Sequence, residues 1–468
     1  TGCFNVGIGH CTLFCSVTGS SNVAIGNCAL KFSTVSNNVA IGRNSQCNNS
    51  GGTSNVAVGG WSLFCNTDGT DNTAIGHAAL CKNTASLNTA VGKSALGCQT
   101  TGGCNTALGY QAMIKNCTGI KNVGIGVQVM CAASGGNYNT AIGYQANRLL
   151  TTGEYNTSLG YQALYSNTEG DNNVAVGVNT LHNNSSGCDN TAIGYLASYC
   201  NTTGCNNVAL GKCALNKSVA VDHNIAIGCG SMLYNTIGSG NVAIGRQAYV
   251  GGTPYSSTGC CNVAIGYQPM FSNVSGGCNV ALGSQPLYSN RVGSHNTAMG
   301  YQSLYHSTSG RDNASIGYRA MYCNTTGCYN NAIGTQALCS NTTGLYNNAI
   351  GYIALHSNTT GGYNNAIGNS ALRYNTEGSC NDALGNQALH CNINGGKNIA
   401  LGHQSLYYNT SGSNNVAIGC RALMMAPGIV RDTAGSCNNI GIGEMATQNL
   451  ATGNNNIGIG FKANCGNA

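Results

Sequence analysis

The sequence predicts an all-β chain, a parallel β-solenoid or β-roll of 27 coils with a 17-residue repeat. Three observations predict it. A core glycine recurs from Gly9, Gly26 and Gly42 through to Gly443 and Gly460, and 22 of its 26 intervals are 17 residues, two are 16, one is 21 and one is 24. Self-similarity at a fixed period marks a stacked repeat architecture. The residue types are also held in phase, with Asn four places before that glycine in all 27 copies. Finally, each copy is punctuated by the core glycine and by an Asn-Thr-Thr-Gly-like turn. A unit of that length is too short for a helical repeat and long enough for two short strands and two turns.

With the core glycine numbered position 6, the consensus reads N-N-V-A-I-G-Y-Q-A-L-Y-S-N-T-T-G-S. Position 4 is always Ala, Gly or Ser, and position 5 is always Ile, Val, Leu or Met. Position 3 drifts through Val, Thr, Ile, Ala, Asn and Asp. Fixed small residues imply tight space, and drift implies tolerance. Alternation along a strand sends positions 2, 4 and 6 to one face and 3 and 5 to the other. The Asn and the small residues suit a narrow coil interior. Stacked at about 4.8 Å, successive coils place each Asn above its own copy, and such amides donate to and accept from their neighbours. Asn22, Asn207, Asn241 and Asn415 are members of this structural ladder.

No compositional break or linker divides the chain, so residues 1–468 read as a single continuous repeat array. The two long intervals read as loop insertions at 250–257 and 424–434, each holding a proline, Pro254 or Pro427, suited to a bulge and not to a central strand. Charged residues make up 6% of the chain and the net charge is +6, without a basic stripe. That pattern argues against nucleic acid as a partner. No run approaches the roughly 18 apolar residues of a membrane span, so membrane insertion is not expected.

The outward face carries an aliphatic residue in every copy. A lone rod would expose that stripe far beyond the few hundred Å² usual for monomers. Lateral partners are therefore expected, and a closed trimer is the simplest arrangement that hides the stripe from identical rods, although symmetry also allows a dimer.

The core motif, as in Asn22-Val23-Ala24-Ile25-Gly26 and Asn415-Val416-Ala417-Ile418-Gly419, resembles the head repeats of trimeric autotransporter adhesins, and similar repeats occur in phage tail-fibre proteins. The resemblance covers the whole chain. It implies a trimeric left-handed parallel β-roll, display on a cell or virion surface, and adhesion to a host-surface glycan or protein. The repeat here is longer than the family's usual one, cysteines are abundant, and no coiled-coil stalk or membrane anchor lies within these residues.

The chain holds 27 cysteines, mostly flanking turns. Two turns read C-N-T-T-G-C, Cys200 to Cys205 and Cys323 to Cys328. Cys11 with Cys28, Cys188 with Cys205, and Cys261 with Cys278 recur one coil apart. A spacing of about 4.8 Å lies inside the window a disulfide accepts, so these pairs are candidate staples; small half-buried thiols filling space are the alternative. No C-x-x-C is present and the nine histidines are scattered over several phases, so neither a metal site nor any other cofactor is expected. Asn-x-Ser/Thr sequons begin at position 13, including Asn201, Asn324, Asn341, Asn358 and Asn409. They are candidate glycosylation sites or plain turn residues. Tyrosines at position 7, Tyr144 above Tyr161 and Tyr301 above Tyr318, offer faces to a sugar or pack the coil.

Catalysis has little to draw on among 12 acidic residues. Glu154 and Asp171 share position 17 in adjacent coils with Glu169 nearby, a spacing open to glycosidase chemistry but equally to a solvated turn. The G-x-G-x-x-A matches at 441–446 and 458–463 fall in phase with the array and do not mark a dinucleotide site. The expectation is therefore a structural, non-catalytic fibre component, adhesive or scaffolding, outside the cell or on a virion. A carbohydrate- or ice-binding solenoid and a polysaccharide-degrading tail spike are the alternatives. Thr1 falls at position 15 and Ala468 at position 14, so the array holds a whole number of repeats. Without an atypical terminal repeat, subunits are expected to stack end to end, or the chain is a slice of a longer array.

Overall fold

The computed structural model describes residues 2–251, 257–424, 435–448 and 453–464. They form strands and turns, with no helix among the described residues. The chain divides into two units, Thr1–Gly230 and Ser231–Ala468. Among the described residues the first carries fourteen three-residue strands, from β1 (Val6–Ile8) to β14 (Ile225–Ile227), and the second thirteen, from β15 (Val242–Ile244) to β27 (Ile457–Ile459). Each unit is a parallel β-solenoid in which strands one repeat apart pair without slip. Val174 pairs with Thr191 in the first unit, and Asn348 pairs with Asn365 in the second.

Among the described residues each coil contains one strand, at positions 3 to 5, and not the two that its length allows. The backbone explains the difference. The position 6 glycine takes φ +142 at Gly160, and positions 8 and 10 follow in the left-handed region, at φ 50 for Gln162 and 53 for Leu164. Position 1 does the same, at φ 56 for Tyr155. That geometry turns the chain through positions 6 to 12 and leaves no room for a second regular strand.

An L residue in this region costs about 1–2 kcal/mol, so something must hold it there. At position 10 the restraint is burial. Leu164 is fully buried, which contributes roughly 1.5–3 kcal/mol, and its N–H donates to Thr180 O at 2.9 Å in the next coil.

The interior of a coil is filled by positions 2, 4, 9, 10, 13 and 16. Ala at 4 and 9 and Leu or Met at 10 make the apolar part, as in Ala107, Ala112 and Met113. Positions 2 and 13 bring asparagine into the same interior. Asn207 donates through its backbone N–H and its Nδ2 to Asn190 Oδ1, both at 3.1 Å, and through Nδ2 to Val221 O at 2.6 Å. Asn22, Asn241 and Asn415 occupy the same column and are buried.

Register survives both long intervals. Val242 of β15 pairs with Val263 of β16 (Val263–Ile265), and Val416 of β25 (Val416–Ile418) pairs with Ile440 of β26 (Ile440–Ile442). Ser257 closes the first insertion with a parallel bridge to Asn235. Residues 252–256 and 425–434, with Pro254 and Pro427, lie outside the described residues.

Candidate functional site

Because every coil repeats the last, the chemistry of this protein is arranged in columns of one repeat position each. The outward strand column is position 5. Ile333, Ile350 and Ile367 are exposed by 42, 39 and 40%. Positions 3 and 5 carry one charged residue in the whole sequence, Asp382. In coils 331 to 382 position 3 becomes an amide column, with Asn331 donating to Asn348, Asn348 to Asn365 and Asn365 to Asp382 at 2.8, 2.7 and 2.6 Å.

The sequon asparagines are not in water. Asn201, Asn324, Asn341 and Asn358 are fully buried and Asn409 is 1% exposed. Asn201 Nδ2 donates to Asn184 Oδ1 at 2.8 Å and Gly204 O at 3.0 Å, and Asn341 Nδ2 to Asn324 Oδ1 at 2.8 Å and Gly344 O at 3.1 Å. A glycan requires that same nitrogen, so the folded coil is incompatible with glycosylation at these positions. They form a second interior amide ladder. Recurrence of Asn at a fixed phase was the available signal, but the sequon pattern pointed to a surface turn.

None of the candidate staple cysteines, Cys11, Cys28, Cys188, Cys200, Cys205, Cys261, Cys278, Cys323 and Cys328, is in a disulfide. Those at position 17 act as serine does elsewhere in that column. Cys205 Sγ accepts from Cys188 N–H at 3.1 Å and Cys328 Sγ from Arg311 N–H at 3.4 Å, while Ser379 Oγ accepts from Gly362 N–H at 3.1 Å. Cys200 and Cys323 lie at position 12, where Cys323 N–H donates to Cys339 O at 2.9 Å in the next coil. Cys11 and Cys28 lie in the position 8 column, and Cys261 and Cys278 in the position 1 column. Burial pushes the Cys188 and Cys323 thiols up from their ordinary value, and carries Cys339 to about 11 by burial and the neighbouring Cys323. Thiols held protonated are poor nucleophiles for disulfide exchange.

The acidic group is absorbed into the position 17 ladder. Asn137 Nδ2 donates to Glu154 Oε1 at 2.5 Å, and Glu154 N–H donates to Asp171 Oδ1 at 2.7 Å. No group of three or more metal-ligating side chains occurs among the described residues.

Aromatic rings stack along three columns. Tyr144 with Tyr161 and Tyr301 with Tyr318 stack at position 7, at 5.3 and 5.5 Å. Tyr329, Tyr346 and Tyr363 stack at position 1, and Phe271, Tyr288, Tyr305 and Tyr322 at position 11. Position 8 supports a glutamine ladder that sequence reasoning missed. Gln268 Nε2 donates to Gln247 Oε1 at 2.9 Å, and the column continues through Gln285 and Gln302 to an arginine, Arg319. Its signal was an Arg standing in phase with Gln. Comparison with known protein families, curated proteins and solved structures finds no match to this chain.

Proposed function

We propose that this chain is a structural, non-catalytic fibre component that assembles laterally with copies of itself, most simply as a closed trimer, and serves as an adhesive or scaffolding shaft outside the cell or on a virion. The observation that carries this reading is the position 5 column. It is aliphatic in every copy, half-buried to exposed along both units, and nearly free of charge beside it. Depletion of charge is what separates an interface core from ordinary surface. The repeat period favours a second copy of the chain as that partner. A surface that docks along many coils must repeat at the same spacing of about 4.8 Å, and a second copy of the chain does so by identity.

Sedimentation velocity of the intact chain tests it. A discrete oligomer at micromolar concentration is expected, converting to monomer when Ile333 and Ile350 are both replaced by Lys, with the far-ultraviolet circular dichroism unchanged. A wild-type chain that sediments as monomer across that range overturns the reading.

A further inference from the structure

We infer that Arg319 and the tyrosines around it form a binding site for an oxyanion, carboxylate or sulfate, carried on a saccharide. The site lies on positions 7, 8 and 11 of the second unit, in columns other than the aliphatic one at position 5, and names a ligand class that the assembly reading leaves open.

The guanidinium is fixed before any ligand arrives. Its Nε donates to Gln302 Oε1 at 3.0 Å, and Gln302, Gln285 and Gln268 pass the same bond down the column at 3.2, 3.1 and 2.9 Å. Aligned amides polarise one another, which strengthens the last acceptor. The planar group also lies 5.1 Å from the ring of Tyr322, 5.4 Å from Tyr318 and 6.0 Å from Tyr301. Nε is thereby used and the plane is set, while the two terminal NH2 groups have no protein acceptor and no ion pair among the described residues. A guanidinium presenting its terminal donors in a fixed plane is matched to a carboxylate or sulfate in two-point contact.

The surroundings favour an acidic sugar. Tyr301 and Tyr318 are 41 and 44% exposed and bring phenol hydroxyls and apolar ring surface to the same place. From Arg246 to Arg421, positions 7 to 12 of the coils carry four arginines and no acidic residue. Arg246 is four coils before Arg319 and Arg373 three coils after it, about 19 and 14 Å at the stacking distance. Isolated arginines at such gaps, with no run of Lys or Arg beside them, lack the basic stripe that tracks a phosphate backbone, so nucleic acid is the poorer fit.

The test is direct titration of the full chain at low salt with a heparin-derived hexasaccharide, an oligogalacturonate hexamer, neutral maltohexaose and a single-stranded oligonucleotide. Binding of one or both acidic sugars and none of maltohexaose is expected, and the stronger of the two tells sulfate from carboxylate. Arg319→Gln continues the natural glutamine column and so keeps the fold. It should weaken acidic-sugar binding about tenfold or more, as loss of a charge-assisted pair requires, whereas Arg291→Gln, on an exposed turn at position 14, should not. Absence of binding to either acidic sugar, equal binding by Arg319→Gln, or tighter binding of the oligonucleotide overturns the site. Sedimentation of the same samples reads assembly separately, so loss of one function is not mistaken for loss of the other.

Discussion

Asn190 and Asn201 donate to one oxygen, the carbonyl of Gly204, at 2.8 and 3.0 Å. Position 2 and position 13 of a coil thus close on the same acceptor from two sides, and the turn between them is held from inside. The arrangement recurs at Gly170, which accepts from Asn156 at 2.8 Å and Asn167 at 2.9 Å. A carbonyl has two lone pairs, so both bonds are made without competition.

Replacing Asn201 by Leu is therefore expected to destabilise the protein, though less than replacing Asn207 by Leu. Both side chains are buried, but loss of Asn201 strands the Asn184 amide oxygen while Gly204 O keeps Asn190, whereas loss of Asn207 strands Val221 O and the Asn224 N–H as well, at a cost of about 1–3 kcal/mol per group. Thermal melting checks it: an Asn201→Leu variant that melts like wild type contradicts the interior ladder at position 13.

Ser307→Asn should stabilise the second unit. Ser307 interrupts the position 13 ladder, leaving Asn290 Oδ1 and Ser307 Oγ buried without a partner. An asparagine there supplies a donor to Asn290 and an acceptor to Asn324, and the column already accommodates Asn on both sides. A gain of about 1 kcal/mol is expected from denaturant titration. A loss instead means that the coil at 307 is too tight for the amide.

Two adjacent glycines should respond oppositely. Gly59 has φ +132, and a Cβ there would lie 2.6 Å from Gly76 O, whereas a Cβ on Gly60 meets nothing closer than 3.7 Å. Gly59→Ala should cost several kcal/mol through both strain and clash, on the order of the larger single-residue effects, and Gly60→Ala should be neutral or slightly stabilising. Similar melting temperatures for the two variants disprove the turn geometry at position 6.

Acid should weaken the second unit through His390. It is 7% exposed between Tyr374 and Tyr407, and burial, aided by the Arg373 charge, lowers its pKa to about 4. The folded value is depressed, so the fold favours neutral imidazole. That stability is complete above the unfolded value of about 6.5 and is lost as pH falls through about 4. His390→Tyr, which matches Tyr407 in the same column, should lose less stability between pH 6.5 and 4 than wild type. Identical pH dependence of melting in the two proteins would falsify the assignment.

Cys339 should resist alkylation in the native chain relative to exposed Cys380, because burial carries its thiol to about 11 and keeps the thiolate scarce. Mass spectrometry after a brief iodoacetamide pulse reads the ratio, and equal labelling rules out the buried placement.

The sequence by itself determined the period, the parallel stacking and a strand whose faces alternate over positions 2 to 6, but not that each coil has one strand instead of two. These follow from strict recurrence, since an Asn at one phase and an Ala, Gly or Ser at another, 27 times over, state which side of the strand lacks space. The fate of the twelve positions outside 2 to 6 was decided by tertiary structure. Asn201 and Asn207 look alike as residues, and Asn-Thr-Thr-Gly is ordinary turn chemistry, so nothing local says that the turn folds its asparagine inward. That became legible only once the Gly204 carbonyl stood between the two amides. Likewise Leu164 in a left-handed conformation contradicts local preference, and it persists because burial and the next coil's carbonyl outweigh that cost. The Arg319 site is a product of stacking alone. Gln302 and the three tyrosines are brought to one guanidinium by coils lying in register, a relationship that chain order records only as a phase.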